Sequence, residues 1–285
     1  MITIKEVSTR KMRHQFVSFP LELYKGNPYF VPPLYGDEMK VFSKKNAYYK
    51  TSKSSFFLAY DGDKVVGRIS GIIQNQSNEK MGEKRARFTR FDAIDSQEVA
   101  AALFAAAERW ALANGMESIC GPLGYSDLER EGLLIEGFDY IATFEEQYNF
   151  EYYGRLIENC GYAKEIDWLE YRLYKPESLD PTLDRVATAA MEKFRLHLGT
   201  GRNKRHYINK YKDGIFHCLD EGYKVLYGTV PFTKEMKQQI ITQFMYLLSL
   251  KFIITVCDEK ENVIAFGLSV PSLGPAFQKS GGRLT

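Results

Sequence analysis

The sequence predicts a mixed α/β fold of the α+β kind, in which a largely antiparallel sheet flanked by helices is present twice and the second copy is incomplete. Two observations carry the prediction. Over residues 55–74 (SFFLAYDGDKVVGRISGIIQ) an apolar run meets Asp61-Gly62 and a second β-rich run follows. Asp-Gly between two such runs is a strong hairpin signal, because the turn needs positive φ and glycine supplies it without a Cβ clash. Over residues 252–270 (FIITVCDEKENVIAFGLSV) the same order recurs: an apolar strand, an acidic turn, then a strand with an internal glycine, Gly267 standing where Gly67 does. Two like hairpins so far apart indicate two copies of one domain rather than a short-period solenoid.

The remaining elements follow along the chain. Residues 2–7 alternate apolar and polar as a strand would, and Ser8 or Thr9 can cap a helix running to about Tyr24. Gly26-Asn27-Pro28 and Pro32-Pro33 bracket an aromatic loop, Tyr29-Phe30-Val31, which the prolines hold extended over a core edge or a ligand. The second hairpin strand puts Val65, Gly67, Ile69, Gly71 and Ile73 on one face, with room at the glycines for close approach of a helix or ligand. Arg68 lies on the opposite face, either exposed at an edge or free to bind an anion. A polar turn is expected over 75–83 and a strand over 86–94. Asp95 with Glu98 then has the spacing of a capping box before an alanine-rich helix over 97–113, which stops at Asn114-Gly115. Ser118-Ile119-Cys120 reads as a short buried strand. The stretch after it, GPLGYSDLEREGLLIEGFD (121–139), has too many glycines for one regular element. It gathers Tyr125, Asp127, Glu129, Glu131 and Glu136 in a loop at a strand end, where binding groups tend to sit. Residues 148–159 read as a helix stopped by Gly161, and 165–174 alternate as a strand. Residues 175–181 are linker-like, so a complete first domain is placed at 1–175 and the N-terminal part of a second at 182–285. The second has helices over 183–198, 203–219 and 233–248 before its hairpin.

Composition narrows the function. The 285 residues are 45% hydrophobic and 26% charged, long enough for two cores, and 38 basic against 36 acidic residues leave a net charge of +2. No overall field draws the chain to nucleic acid, and no RNA-binding aromatic motif is present, so no nucleic-acid partner is expected. Cys120, Cys160, Cys218 and Cys257 are dispersed and read as reduced, buried thiols. With no apolar leader at the N-terminus and no span long enough for a bilayer, this places the protein in the cytoplasm, with peripheral membrane contact left open. No His-Glu-x-x-His, cysteine pair or Gly-x-Ser-x-Gly elbow occurs, so neither a metal centre nor a serine nucleophile is expected. The stretch GTGRNKR (199–205) resembles a phosphate cradle at a helix N-terminus without the Gly-Lys-Ser/Thr ending of a P-loop. Its Arg202, Lys204 and Arg205 are either a solvated basic face or a site for an anionic lipid or CoA phosphate.

The order of elements over 1–174 resembles the GNAT superfamily of acyl-CoA N-acyltransferases. NPYFVPPL (27–34), VVGRISGII, the 121–139 loop and YNFEYYGRLIENCGY (148–162) together look like a bacterial tandem-GNAT family related to ceramide synthases that acylate sphingoid amines. The resemblance implies transfer of an acyl group from acetyl-CoA or a longer acyl-CoA to a small-molecule or lipid amine, without a metal, and leaves a homodimer open. Such chemistry needs a base for the ammonium proton, amides for the carbonyl oxygen and an acid for the leaving thiolate. Glu131 and Glu136 are the base candidates, since a carboxylate in a partly apolar loop can have a raised pKa; the alternative is that both are surface acids. Tyr153 joins them as a catalytic candidate, Tyr125, Asp127, Asn149 and Tyr152 are expected to bind substrate, and Arg202, Lys204 and Arg205 to bind the cofactor. Two family signatures are missing. The Arg/Gln-x-x-Gly-x-Gly/Ala turn that holds CoA pyrophosphate is replaced by Phe91-Asp92-Ala93-Ile94-Asp95-Ser96, with two aspartates and no glycine, and the tyrosine slot before Gly161-Tyr162 holds Ile157. The first domain is therefore expected to supply acceptor binding or scaffold and the second to take CoA. A non-catalytic binding module is the rival. Because few residues follow the second hairpin, the chain is further expected to be a fragment whose native form continues past Thr285, weak or inactive alone, with its last strand covered by a partner or the tail.

Overall fold

The computed structural model describes residues 1–283 apart from Tyr246, so one position of the helix expected over 233–248 and the last two of the tail lie outside the described residues. The chain divides into two units: Met1–Ile166 with Gly228–Val230 and the tail from Ser272, and Asp167–Tyr227 with Pro231–Pro271.

In the first unit, β1 (Ile2–Glu6) leads into α1 (Arg10–Leu23), whose N-cap Thr9 accepts from the Met12 amide at 3.2 Å. Then come α2 (Tyr35–Lys40), a 3-10 turn (Ala47–Lys50), β2 (Ser52–Asp61) and β3 (Lys64–Gln74). After these, α3 (Asn75–Met81) takes the place of the expected polar turn and is ended by Gly82 in the left-handed region. β4 (Arg85–Ala93), α4 (Gln97–Ala113), β5 (Ser118–Cys120) and α5 (Tyr152–Glu158) complete the unit. The sheet order is β1-β2-β3-β4-β5, antiparallel except for the parallel β4–β5 pair. Alternation along β2 feeds two cores: Phe56, Leu58 and Tyr60 pack with Phe16, Val17 and Val41, while Phe57 and Ala59 pack with α4 and α5 on the other face.

Several local expectations are corrected. The two-residue loop is Gly62-Asp63, because Asp61 pairs with Lys64. A register shift at Ala59/Tyr60 puts Val66, rather than Val65, on the α4 face beside Ile69. Ser96, not Asp95, caps α4, accepting from the Val99 amide, and Asp95 instead pairs with Arg155. β5 is half-exposed, and α5 starts at Tyr152. Residues 165–174, expected as a strand, are exposed and irregular. Of the aromatic loop, Phe30 and Val31 are buried in the core.

In the second unit, α6 (Pro181–Lys193) ends before β6 (His197–Leu198), which takes residues expected to be helical. α7 (Lys204–Tyr223) and α8 (Lys234–Phe244) follow, then β7 (Ile253–Cys257) and β8 (Val263–Leu268), in an antiparallel sheet ordered β6-β7-β8. Tyr207, Ile208 and Tyr211 of α7 pack on Ile253, Cys257 and Val263. The tail forms α9 (Gly274–Ser280) within the first unit, where Phe277 meets Phe144 and Gln278 donates to the Pro28 and Phe30 carbonyls.

The duplication is written in the register. Thr3 pairs with Tyr60 and Ile4 with Ala59, as His197 pairs with Cys257 and Leu198 with Val256. The helix caps Thr9 and Asn203 follow Thr3 and His197 by the same number of residues. Both hairpins slip by one residue at the same place, since Ala59 faces Gly67 after Tyr60 faces Val65, and Val256 faces Ala265 after Cys257 faces Val263. The counterpart of Gly67 is therefore Ala265, and Gly267 corresponds to Ile69, a correction to the matching of glycines by sequence alone.

Candidate active site

β4 carries the unusual chemistry of the first unit. Its register against β3 slips between Arg68 and Ser70, and Arg90 at the slip has φ +51, a left-handed conformation that favours glycine. Arg90 donates from Nε and Nη2 to the two Glu38 oxygens at 3.0 and 3.1 Å, and from Nη2 to Glu129 at 3.3 Å. Burial opposes charge on Arg90, but Glu38 and Glu129 outweigh it and raise its pKa; burial likewise opposes charge on Glu38, yet Arg90, with Arg68 and Arg130, outweighs it and lowers the Glu38 pKa. The second oxygen of Glu129 accepts the Tyr125 amide at 2.6 Å, which ties the 121–131 loop to the bulge. Arg130 donates to the Phe144 and Val31 carbonyls, and burial lowers its pKa. Burial pushes the Glu145 carboxyl up to about 7, with Asp37 and Glu129 adding to the rise and Arg130 opposing it.

Towards the end of β4, Asp92 is buried. Its Oδ2 accepts from Arg68 Nε at 2.8 Å, and its Oδ1 accepts from the Tyr24 and Tyr153 hydroxyls at 2.9 and 3.2 Å. Arg68 also donates to the Phe16 carbonyl and lies over the Phe16 ring, so it is neither at an exposed edge nor open to an anion. The Tyr153 hydroxyl accepts the Ala93 amide at 3.2 Å, and the Tyr152 hydroxyl donates to the Ala93 carbonyl at 2.8 Å. Burial, then the Asp92 charge, holds Tyr153 protonated far above the usual phenol range. The turn that lacks a glycine is thus closed by tyrosines from α5, and Ile157 in the tyrosine slot is an apolar core residue.

The other predicted residues are placed as follows. Glu131 is half-buried, and its carboxyl is pushed up to about 7 by burial and by Asp127, with Arg87 opposing. Glu136 is exposed. Tyr125 is buried, its hydroxyl donating to Ser54 at 2.8 Å and its ring stacked on Tyr48. Asn149 is buried, bonded through Oδ1 to the Leu134 amide and through Nδ2 to the Leu134 and Phe150 carbonyls. In the second unit Arg202 and Arg205 are exposed, and Lys204 donates to the Met245 and Leu248 carbonyls at 2.8 and 3.0 Å. The structure brings Tyr125, Asp127, Glu129 and Glu131 together on one loop. Glu38, Arg90, Arg130 and Glu145 were missed, and the available signal was three arginines inside the nine-residue strand RARFTRFDA. All four cysteines are free, and only Cys257 is fully buried, a correction for the other three. Among the described residues no helix is long and apolar enough to cross a membrane.

No protein-family model matches the chain. Its sequence is 28% identical over 270 residues to Protein YghO of Escherichia coli (strain K12), covering 94% of this chain and 68% of that protein. It is 25% identical over 291 residues to a bacterial ceramide synthase of Caulobacter vibrioides (strain NA1000 / CB15N), covering 99% of this chain and 73% of that protein. Among solved structures, a tandem GNAT protein from the clavulanic acid biosynthesis pathway superposes with a TM-score of 0.50 at 12% identity, covering 93% of this chain and 73% of that one. The chain has a tandem GNAT fold. Within that fold β4, its bulge and the start of α4 occupy the region where the resemblance locates acyl-CoA binding. In this chain the region is lined by Asp92, Asp95 and tyrosines rather than glycines.

Proposed function

We propose that the protein is a GNAT-type N-acyltransferase that moves an acyl group from a CoA thioester to an amine, with a lipid amine of the sphingoid class as the preferred acceptor. The observation that supports this is the tandem GNAT fold over 93% of the chain, together with likeness to a bacterial ceramide synthase across 99% of it. In this reading the amine nitrogen attacks the thioester carbonyl, the C–S bond breaks with its electron pair leaving on the CoA sulfur as thiolate, and Glu131 takes the proton released by the ammonium nitrogen. A carboxyl near 7 in a half-buried loop suits that role at neutral pH. Tyr125, Asp127 and Asn149 shape the acceptor side, Tyr152 and Tyr153 fix the end of β4, and Arg202, Lys204 and Arg205 serve the CoA phosphates in the second domain. The domains are proposed as a complete copy over 1–175 and the N-terminal part of a second over 182–285, in the cytoplasm.

The test is thiol release from acetyl-CoA and from palmitoyl-CoA, with and without sphinganine, followed by mass spectrometry of the amide. Release that depends on the amine and falls in Glu131→Gln supports the reading; no release and no acyl-CoA binding by calorimetry would sink it. The two aspartates in the turn after β4 favour one rival, a module that binds without turnover. Acyl-CoA binding with no amide product would select it.

A further inference from the structure

The second unit holds a group of donors that the transferase reading does not use. His197 on β6 is the register partner of Cys257 at the end of β7, and Glu261 sits in the turn that follows. One nitrogen, one sulfur and one carboxylate oxygen from these residues lie within 4.8 Å of one another, with His197 Nε2 3.3 Å from Glu261 Oε1. The other Glu261 oxygen, Oε2, is taken by Lys210 Nζ at 2.8 Å and by the Tyr211 hydroxyl at 3.5 Å. Its two oxygens are thus divided. Oε1 faces the imidazole while Oε2 is held from behind, as outer bonds orient the carboxylates that ligate metals. Glu261 also has φ +65 without being glycine, held by a turn in which Asp258 Oδ1 accepts the Lys260 and Asn262 amides at 2.8 and 2.9 Å.

We infer that His197, Cys257 and Glu261 form a binding site for a zinc-class divalent cation, with water as the fourth ligand. The mixed sulfur, nitrogen and oxygen set suits zinc, whereas calcium and magnesium take oxygen ligands. Bonds of about 2.0–2.3 Å put tetrahedral ligands roughly 3.3–3.8 Å apart, so the site closes by about an ångström on binding. The fold does not require these residues. In the first copy Thr3 and Tyr60 occupy the matching register positions and hold the same strand pair together. Cys257 is fully buried and Glu261 is exposed, which gives the ion an entry from the turn side.

Cobalt(II) and zinc(II) titrations of the full chain, stripped with chelator and kept reduced, test the site. One equivalent of cobalt should give tetrahedral d–d bands with a thiolate charge-transfer band. Zinc should displace it and raise the thermal midpoint. Cys257→Ser should remove the charge-transfer band and weaken binding by at least about tenfold, and His197→Ala, a half-exposed position, should weaken it similarly, each lost ligand costing no less than a lost outer bond would. Cys218→Ser should leave both unchanged. Absence of the charge-transfer band, or binding that survives Cys257→Ser and His197→Ala, overturns the inference.

Discussion

Replacing Gly67 by alanine separates the register seen in the structure from the likeness of glycines seen in the sequence. A Cβ at Gly67 would lie 2.8 Å from Leu103 Cδ1, 2.9 Å from Val99 Cγ1 and 3.2 Å from the Asp92 carbonyl oxygen. Carbon atoms pack at about 3.5–4.0 Å, so α4 would have to move by roughly 0.6–1.2 Å, and both contacting side chains are sealed in the core. Such overpacking costs about 1–3 kcal/mol, offset by about 0.4–1 kcal/mol from the reduced freedom of the unfolded chain. The net loss is about 0–2.6 kcal/mol, a fall of up to roughly 10 °C in the melting midpoint of the first unit. At Gly267 nothing lies within 4 Å of the added Cβ, so Gly267→Ala should be neutral or slightly stabilising. The assay is urea and thermal unfolding by Trp110 fluorescence in a Trp168→Phe background for the first pair of curves, with calorimetry for Gly267→Ala. A Gly67→Ala variant more stable than its parent, or equal changes at both glycines, would refute the close approach of α4 to β3 and the register that equates Gly67 with Ala265.

Three further outcomes are expected. Asp92→Asn leaves Arg68 buried without its counter-charge and should destabilise the first unit by about 3–5 kcal/mol in denaturant titration, with much of the loss recovered by the apolar pair Arg68→Met/Asp92→Leu. Glu131 is raised to about 7 in the folded protein, so the native state binds more protons than the unfolded state between about pH 4.5 and 7. Ionising it therefore costs stability: wild type should lose stability relative to Glu131→Gln as pH rises through that window, then run parallel above it, and curves parallel throughout would count against a raised pKa. Lys204→Met removes two charge-assisted bonds to the Met245 and Leu248 carbonyls that follow α8 and should lower the stability of the second unit by about 1.5–3 kcal/mol. If Lys204 serves CoA alone, acyl-CoA affinity will fall in calorimetry while stability stays unchanged.

What the sequence determined by itself is local and periodic. The hairpins, the capped helix over 97–113 and the repeated strand–helix–hairpin order were legible because turn chemistry and alternation act within a few residues. Even the loss of the glycine turn after β4 could be read directly from Phe91-Asp92-Ala93-Ile94-Asp95-Ser96. Tertiary structure alone decided the rest. A one-residue bulge moves Val66 to the inner face and shifts the match of Gly67 from Gly267 to Ala265, a displacement invisible without strand pairing. Arg68 looked like a surface cation until Asp92, 24 positions on, met it across β3 and β4 at 2.8 Å. Residues 165–174 alternate like a strand yet are irregular and exposed. Arg90 gathers Glu38 from α2 and Glu129 from the 121–139 loop, and His197 meets Cys257 and Glu261 from the far end of the unit. Charge pairing and metal ligation are set by distance in space, and no spacing along the chain encodes that distance when the partners come from separate strands and loops.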